Sequence, residues 1–171
     1  MVTLVIPTIK DKETVEDYIE EIKSTDNNFD GTSDYGKIDC YEEWLKKIKD
    51  NESIETCPKN LIPQSTFLLY DDNCLVGSVN IRHYVNEKTE NFGGHIGYLI
   101  RPTKRNKGYG TQILKLALEK CKKLGIEEVI VACREDNLAS MNVIKNNKGI
   151  FLNRVFNDNK GCYYCRYKIV I

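Results

Sequence analysis

The sequence predicts an α/β fold, with a mixed, mostly antiparallel central sheet and helices on both faces. Three observations predict it. Strand-type runs fill residues 65–84 and 150–171, each pair joined by a polar turn. Helical periodicity is confined to separate stretches, the clearest at residues 108–124. Helices and strands alternate through the second half of the chain, which sets helices against a sheet.

Each element has its own warrant. Residues 3–6 read as a first strand, and residues 11–24 as a helix with Val15, Tyr18, Ile19 and Ile22 on one face. A polar loop, residues 25–37, contains Gly31 and Gly36. Asp39 is placed to cap a second helix, with Glu42 three residues on as in a capping box, and Tyr41, Trp44, Leu45 and Ile48 form that helix's apolar face. After a loop at residues 51–63, strands at 65–70 and 75–84 flank the turn Asp71-Asp72-Asn73. Residues 84–92 read as a second polar loop and residues 93–100 as a strand. In the helix at 108–124, Ile113, Leu114, Ala117, Leu118, Cys121 and Leu124 make the buried face, and Gly125 stops it. The apolar run Val129-Ile130-Val131-Ala132 lies in a strand of the sheet interior at 128–133. A short helix at 137–147 and strands at 150–156 and 162–171 complete the chain.

Composition narrows the function. The 171 residues suit a single domain, 1–171, large enough to bury a core. Lys plus Arg and Asp plus Glu both number 25, so net charge gives no reason to expect binding to nucleic acid or to an acidic membrane. The start of the chain lacks a signal-peptide pattern, and no stretch has the roughly 20 apolar residues of a membrane span. Seven cysteines, an odd number without framework spacing, suit reduced thiols and a cytoplasmic location. Cys162 and Cys165 lie three strand steps apart, about 10 Å, on opposite faces, too far for a disulfide. Two histidines and scattered cysteines give no metal-ligand spacing.

The informative motif is Arg105-Asn106-Lys107-Gly108-Tyr109-Gly110-Thr111, between a strand and a helix. Its unpaired N–H groups and the positive end of the helix dipole suit an anion. Gly108 and Gly110 would let phosphate approach the main chain, with Arg105, Lys107 and Lys104 adding positive charge. No Gly-Lys-Ser/Thr follows, and the third glycine of the dinucleotide fingerprint is missing. The pattern Arg-x-x-Gly-x-Gly after Ile100-Arg101-Pro102 resembles the acetyl-CoA loop of the GNAT N-acetyltransferase superfamily. The element order resembles that superfamily over essentially the whole chain. Ile81-Arg82-His83, Gly93 to Tyr98, Arg101-Pro102 and Asn137 to Ser140 are similar to a bacterial subfamily of predicted acetyltransferases.

The resemblance implies acetyl-CoA as cosubstrate. Main-chain groups near Leu99 and Ile100 would pair with the pantetheine arm. The loop from Arg105 and Asn106 through Lys107, Gly108, Tyr109 and Gly110 to Thr111 would hold the pyrophosphate, and Asn137 and Ser140 would complete the site. Asn137 also reads as a helix N-cap, and the two readings are compatible. Three departures stand out. The tyrosine that often serves as general acid is replaced by Ile144, a closing glycine by Lys148, and a common strand glutamate by His95. An alkylamine is mostly protonated at neutral pH, and histidine titrates where a base is useful. His95, among Gly93, Gly94 and Gly97, is therefore the candidate catalytic base, and a packed strand histidine is the competing reading. His83 reads as structural. The implied activity is N-acetylation of a primary amine of a small molecule or peptide. The competing class is a CoA-binding sensor or interaction module without turnover. A homodimer is an open assembly state; nucleic acid, membrane and metal are not expected partners.

Overall fold

The computed structural model describes residues 1–171 except 27 and 39, and only the main chain of residue 88. Asp39, the expected helix cap, lies outside the described residues. Strand β1 (Val2–Val5) and helices α1 (Lys12–Lys23) and α2 (Tyr41–Asp50) lead into β2 (Gln64–Asp71) and β3 (Cys74–Arg82). Then come α3 (Glu87–Phe92), β4 (Ile96–Ile100), α4 (Tyr109–Lys123), β5 (Glu128–Arg134), α5 (Leu138–Asn146), β6 (Ile150–Asn157) and β7 (Cys162–Val170).

The strands form two antiparallel sheets, ordered β1-β2-β3-β4 and β5-β7-β6. Among the described residues an isolated bridge pairs Gly94 with Val131 between them. Strand alternation then sorts the cores. Val79 and Ile81 face α4, where Ile113, Leu114, Ala117 and Cys121 pack in one cluster. On the other face Leu68, Leu75 and Leu99 pack against Val15, Tyr18, Ile19, Ile22 and the aromatic trio Tyr35, Tyr41 and Trp44. The predicted class is therefore the observed one, with helices on both faces.

Several local expectations change. The segment read as a polar loop holds α3, because Asn86 and Thr89 cap each other reciprocally through side chain and main chain. The strand after it begins at Ile96, since Gly94 takes φ +62° and breaks the extended run. Leu124 is 44% exposed, because the helix ends one residue before it and the chain turns at Gly125, φ +77°. Cys162 and Cys165 are both free thiols, as are the other five cysteines.

Candidate active site

Beyond the Gly94–Val131 bridge β4 and β5 part, and residues 96–100 and 131–134 line opposite walls of a cleft of about 1060 Å³. Antiparallel alternation determines what β4 offers to it. Arg101 N–H donates to the Val76 carbonyl and Arg82 N–H to the His95 carbonyl. Ile96, Tyr98 and Ile100 are thus the non-hydrogen-bonded partners of β3, and they turn their main-chain groups to the open edge. Leu99 turns its own toward Ser78, and its carbonyl also accepts from Tyr18 Oη at 3.3 Å. The Ile100 carbonyl accepts from Arg105 Nε at 3.1 Å.

One end of the cleft is built from main chain. Asn106 and Gly108 both take left-handed conformations, φ +60° and +83°, and aim the chain into α4. No side chain caps that helix, so its first N–H groups remain available to an anion. Part of the positive charge expected here is engaged. Arg105 pairs with Asp26 at 2.6 Å and Arg101 with Asp17 and Glu21, which leaves Lys104 and Lys107 as the nearby cations without a carboxylate within ion-pairing distance among the described residues. Gly110, expected to clear room for phosphate, lines the cleft and also has a packing role. A Cβ there would stand 2.9 Å from Val143 Cγ2, so its glycine lets α5 pack against α4.

Across the cleft, Asn137 caps α5 by accepting from Ser140 N–H at 3.0 Å, and its amide nitrogen has no partner among the described residues. Ser140 Oγ lies 2.9 Å from Tyr98 Oη, a hydroxyl pair that ties α5 to β4. Burial raises the Tyr98 phenol to about 12. Ile144, at the position where the resemblance expects tyrosine, is fully buried under Gly149, far from a role as a proton donor in the cleft. Lys148 adopts the left-handed conformation of a helix-ending glycine, φ +64°.

His95 departs most from its expected role. Its main-chain N–H donates to the Ile130 carbonyl at 2.7 Å, and its Nδ1 accepts from Ile130 N–H at 3.0 Å. The ring is 6% exposed and does not line the cleft. Accepting at Nδ1 places the proton of the neutral ring on Nε2. Burial lowers its pKa below 6.5, so the ring resists taking a second proton. This is the geometry of a clasp between the two sheets, not of a base reaching an amine. His83 bonds Ser65 Oγ at 2.8 Å, outside the cleft.

The other end of the cleft is made of side chains that sequence reasoning did not single out: Asn80, Arg82, Phe92, Lys160 and Tyr164. Asn80 Nδ2 donates to Ser33 Oγ at 2.9 Å, which anchors the loop before α2 over β3. That loop crosses β4 closely enough that a Cβ on Gly31 would meet Tyr98 Cα at 2.6 Å. A visible signal was the run Ser78, Asn80, Arg82, polar at every second position of an otherwise apolar strand.

A sheet split into two antiparallel halves, with a helix start aimed into the split, defines the class of proteins that hold an extended, phosphate-bearing ligand between two strands. Residues 32–148 match the Acetyltransferase (GNAT) family, and the chain belongs to it. It is 30% identical over 79 residues, 46% of its length, to an uncharacterised N-acetyltransferase, YnaD, of Bacillus subtilis (strain 168). That match spans 44% of the relative, less than half of its length. Among solved structures, a RimL ribosomal L7/L12 alpha-N-protein acetyltransferase in complex with coenzyme A superposes with TM-score 0.72 at 16% identity, over 99% of this chain and 94% of that one. YncA of Salmonella typhimurium, a presumed acetyltransferase solved with its cofactor acetyl-CoA, gives 0.66 at 10% identity, over 99% and 93%. A spermidine N-acetyltransferase SpeG chimera from Vibrio cholerae and hSSAT gives 0.64 at 14%, over 99% and 94%. At these identities the structural likeness concerns the fold.

Proposed function

We propose that this chain is an acetyl-CoA-dependent N-acetyltransferase acting on a primary amine of a small molecule or peptide. The observation that carries the reading is the continuous cleft, which runs from the uncapped start of α4, along the open edge of β4, to a polar chamber at the far end. Its dimensions and donors fit CoA: N–H groups from Lys107 to Thr111 for the pyrophosphate, the edges of Tyr98 and Ile100 for the amide-bearing arm, and Asn137 beside them. Leu99, expected to contribute main chain, contributes wall. Bound acetyl-CoA supplies an activated acyl group and a thiolate leaving group. Open-edge N–H groups of β4 would stabilise oxyanion charge on the thioester carbonyl. Ser140 and Tyr98 form a hydroxyl pair in the cleft lining that could donate a proton to the thiolate. No side chain here is assigned as the base, and a water in the polar chamber is the simplest acceptor of the amine's proton.

The 171 residues work as one domain in this reading, with both cores sharing one sheet. The free thiols and the absence of any helix, among the described residues, long and apolar enough to cross a membrane suit a cytoplasmic enzyme. The exposed apolar residues of β6, Ile150, Phe151 and Leu152, are the surface a homodimer would cover. A CoA-binding sensor without turnover is the competing reading, favoured by Ile144. Incubation with acetyl-CoA and a panel of polyamines, amino acids, aminoglycosides and peptide N-termini decides between them. An acetylated product identified by mass supports the enzyme; tight CoA binding with no product across the panel supports the sensor.

A further inference from the structure

The chain has six arginines, and five are ion-paired: Arg101 with Asp17 and Glu21, Arg105 with Asp26, Arg134 with Asp136, Arg154 with Glu135, and Arg166 with Glu90. Arg82 is the exception. It stands at the end of β3, on the face of Ser78 and Asn80, and lines the chamber where the two sheets meet. Its guanidinium makes one hydrogen bond, Nη1 to the Gly94 carbonyl at 2.9 Å. No carboxylate among the described residues comes within ion-pairing distance.

The head is held in place from behind. A Cβ on Gly93 would stand 3.1 Å from Nη1 and 3.5 Å from Nη2, so glycine there is what lets the guanidinium lie flat against the α3–β4 turn. Burial works against its charge, lowering the pKa, yet a guanidinium does not give up its proton in a protein. A half-buried, permanently charged fork with unused donors is costly unless something pairs with it. Lys160, whose Nζ donates to Tyr164 Oη at 3.1 Å, adds a second positive charge at the same end. Two aspartates of the facing loop act on Arg82 through space: Asp30 is exposed and outside ion-pairing distance, and Asp34 is occupied by Lys37 and Lys47.

We propose that Arg82 seats a carboxylate carried by the acceptor itself, so that the substrate is an amine bearing a carboxylate group, of the amino-acid class. This rests on the acetyltransferase reading for the amine and on Arg82 alone for the carboxylate. A planar fork matches a carboxylate through two parallel N–H···O bonds, which fixes the orientation of the acceptor as well as its affinity.

The test separates the two. N-acetyl-L-alanine, N-acetyl-L-phenylalanine and N-acetyl-L-glutamate, each against its α-carboxamide, are titrated calorimetrically into CoA-saturated protein. At least one free acid should bind about 10-fold or more tighter than its amide. Arg82→Met should erase that preference while CoA affinity and melting temperature stay near wild type. Gly93→Ala, which presses on the guanidinium without removing it, should weaken the preference in a chain that keeps Arg82. Equal binding of acid and amide, or no binding of any acid, overturns the proposal. Tighter competition by inorganic phosphate than by acetate also overturns it, in favour of a phosphate-bearing acceptor. Efficient acetylation of spermidine with no amino acid used would overturn it and leave the acetyltransferase reading standing. Acid-selective binding lost in Arg82→Met, with no acetylated product from any amine, would keep the seat and sink the acetyltransferase reading.

Discussion

The two ends of the cleft are built on opposite principles. The α4 end presents main chain: two left-handed residues, Asn106 and Gly108, and a helix start without a side-chain cap among the described residues. The far end presents side chains brought from β3, α3, β7 and the turn before it. A main-chain site is tolerant of sequence at most of its positions and suits a ligand that never changes. A side-chain site can be rewritten residue by residue, which suits an acceptor that differs among relatives.

The largest effect expected from breaking the comparison falls at the main-chain end. Thr111→Glu puts a carboxylate in the first turn of α4, where acidic residues complement the helix dipole. Folding should hold or improve, while CoA affinity falls by about 10²-fold, the scale of losing charge-assisted bonds to the pyrophosphate. Calorimetry beside a thermal melt checks both halves. Undiminished CoA binding would remove the phosphate site from this loop. Gly110→Asp is the less clean test, because its Cβ would strike Val143 and disturb α5 as well.

The hinge between the ends comes next. His95→Ala removes the acceptor of Ile130 N–H and should cost roughly 1–3 kcal/mol, the range for a buried donor left unsatisfied. His95→Asn offers a carbonyl oxygen in a similar place and should recover part of the loss. The ring's pKa is lowered in the folded state, so the unfolded chain binds the proton more readily. Stability from His95 is therefore complete above pH 6.5 and falls as the pH drops below it. His83, whose pKa is also lowered by burial, adds to the same slope. Denaturant unfolding at several pH values should show a shallower acid slope in His95→Asn than in the wild type. A variant with native stability and turnover reduced about 10²-fold would instead restore His95 as a base.

These residues also mark where sequence reading succeeds. The longer helices are legible because their apolar faces are local: Val15, Tyr18, Ile19 and Ile22 are buried as the 3.6-residue period requires, whereas α3 rests on its cap. The turn between β4 and α4 is legible for the same reason, since glycine spacing between a strand and a helix is a local signal. His95 is harder to place from sequence, because glycines beside a side chain can open space around it. Gly94 does the reverse: its missing Cβ would lie 2.3 Å from the Ile130 carbonyl oxygen, so the glycine brings β5 onto the histidine. Arg82 has no assignable role in the sequence beyond its place in a matched block, because its setting is tertiary. Nothing in Ile81-Arg82-His83 says that the turn at Gly93 lies under the guanidinium, or that no carboxylate among the described residues comes within ion-pairing distance of it.

The smallest effect is expected at Tyr98, which joins the two walls midway along the cleft. Tyr98→Phe keeps the ring and its packing and removes only the bond to Ser140 Oγ. The stability cost should be about 1 kcal/mol, the ordinary net value of such a bond. The rate cost should stay under about 10-fold, because a thiolate with a parent pKa of about 8.5 leaves without much help from an acid. The phenol's pKa, raised to about 12, keeps it protonated through the accessible range, so no alkaline limb of the rate profile should belong to it. A loss of 10²-fold or more would show that the hydroxyl pair is a required proton donor. In that case Ser140→Ala should give a similar loss. The function displaced from the α5 position, where Ile144 is now core, would then have been taken up by a residue of β4.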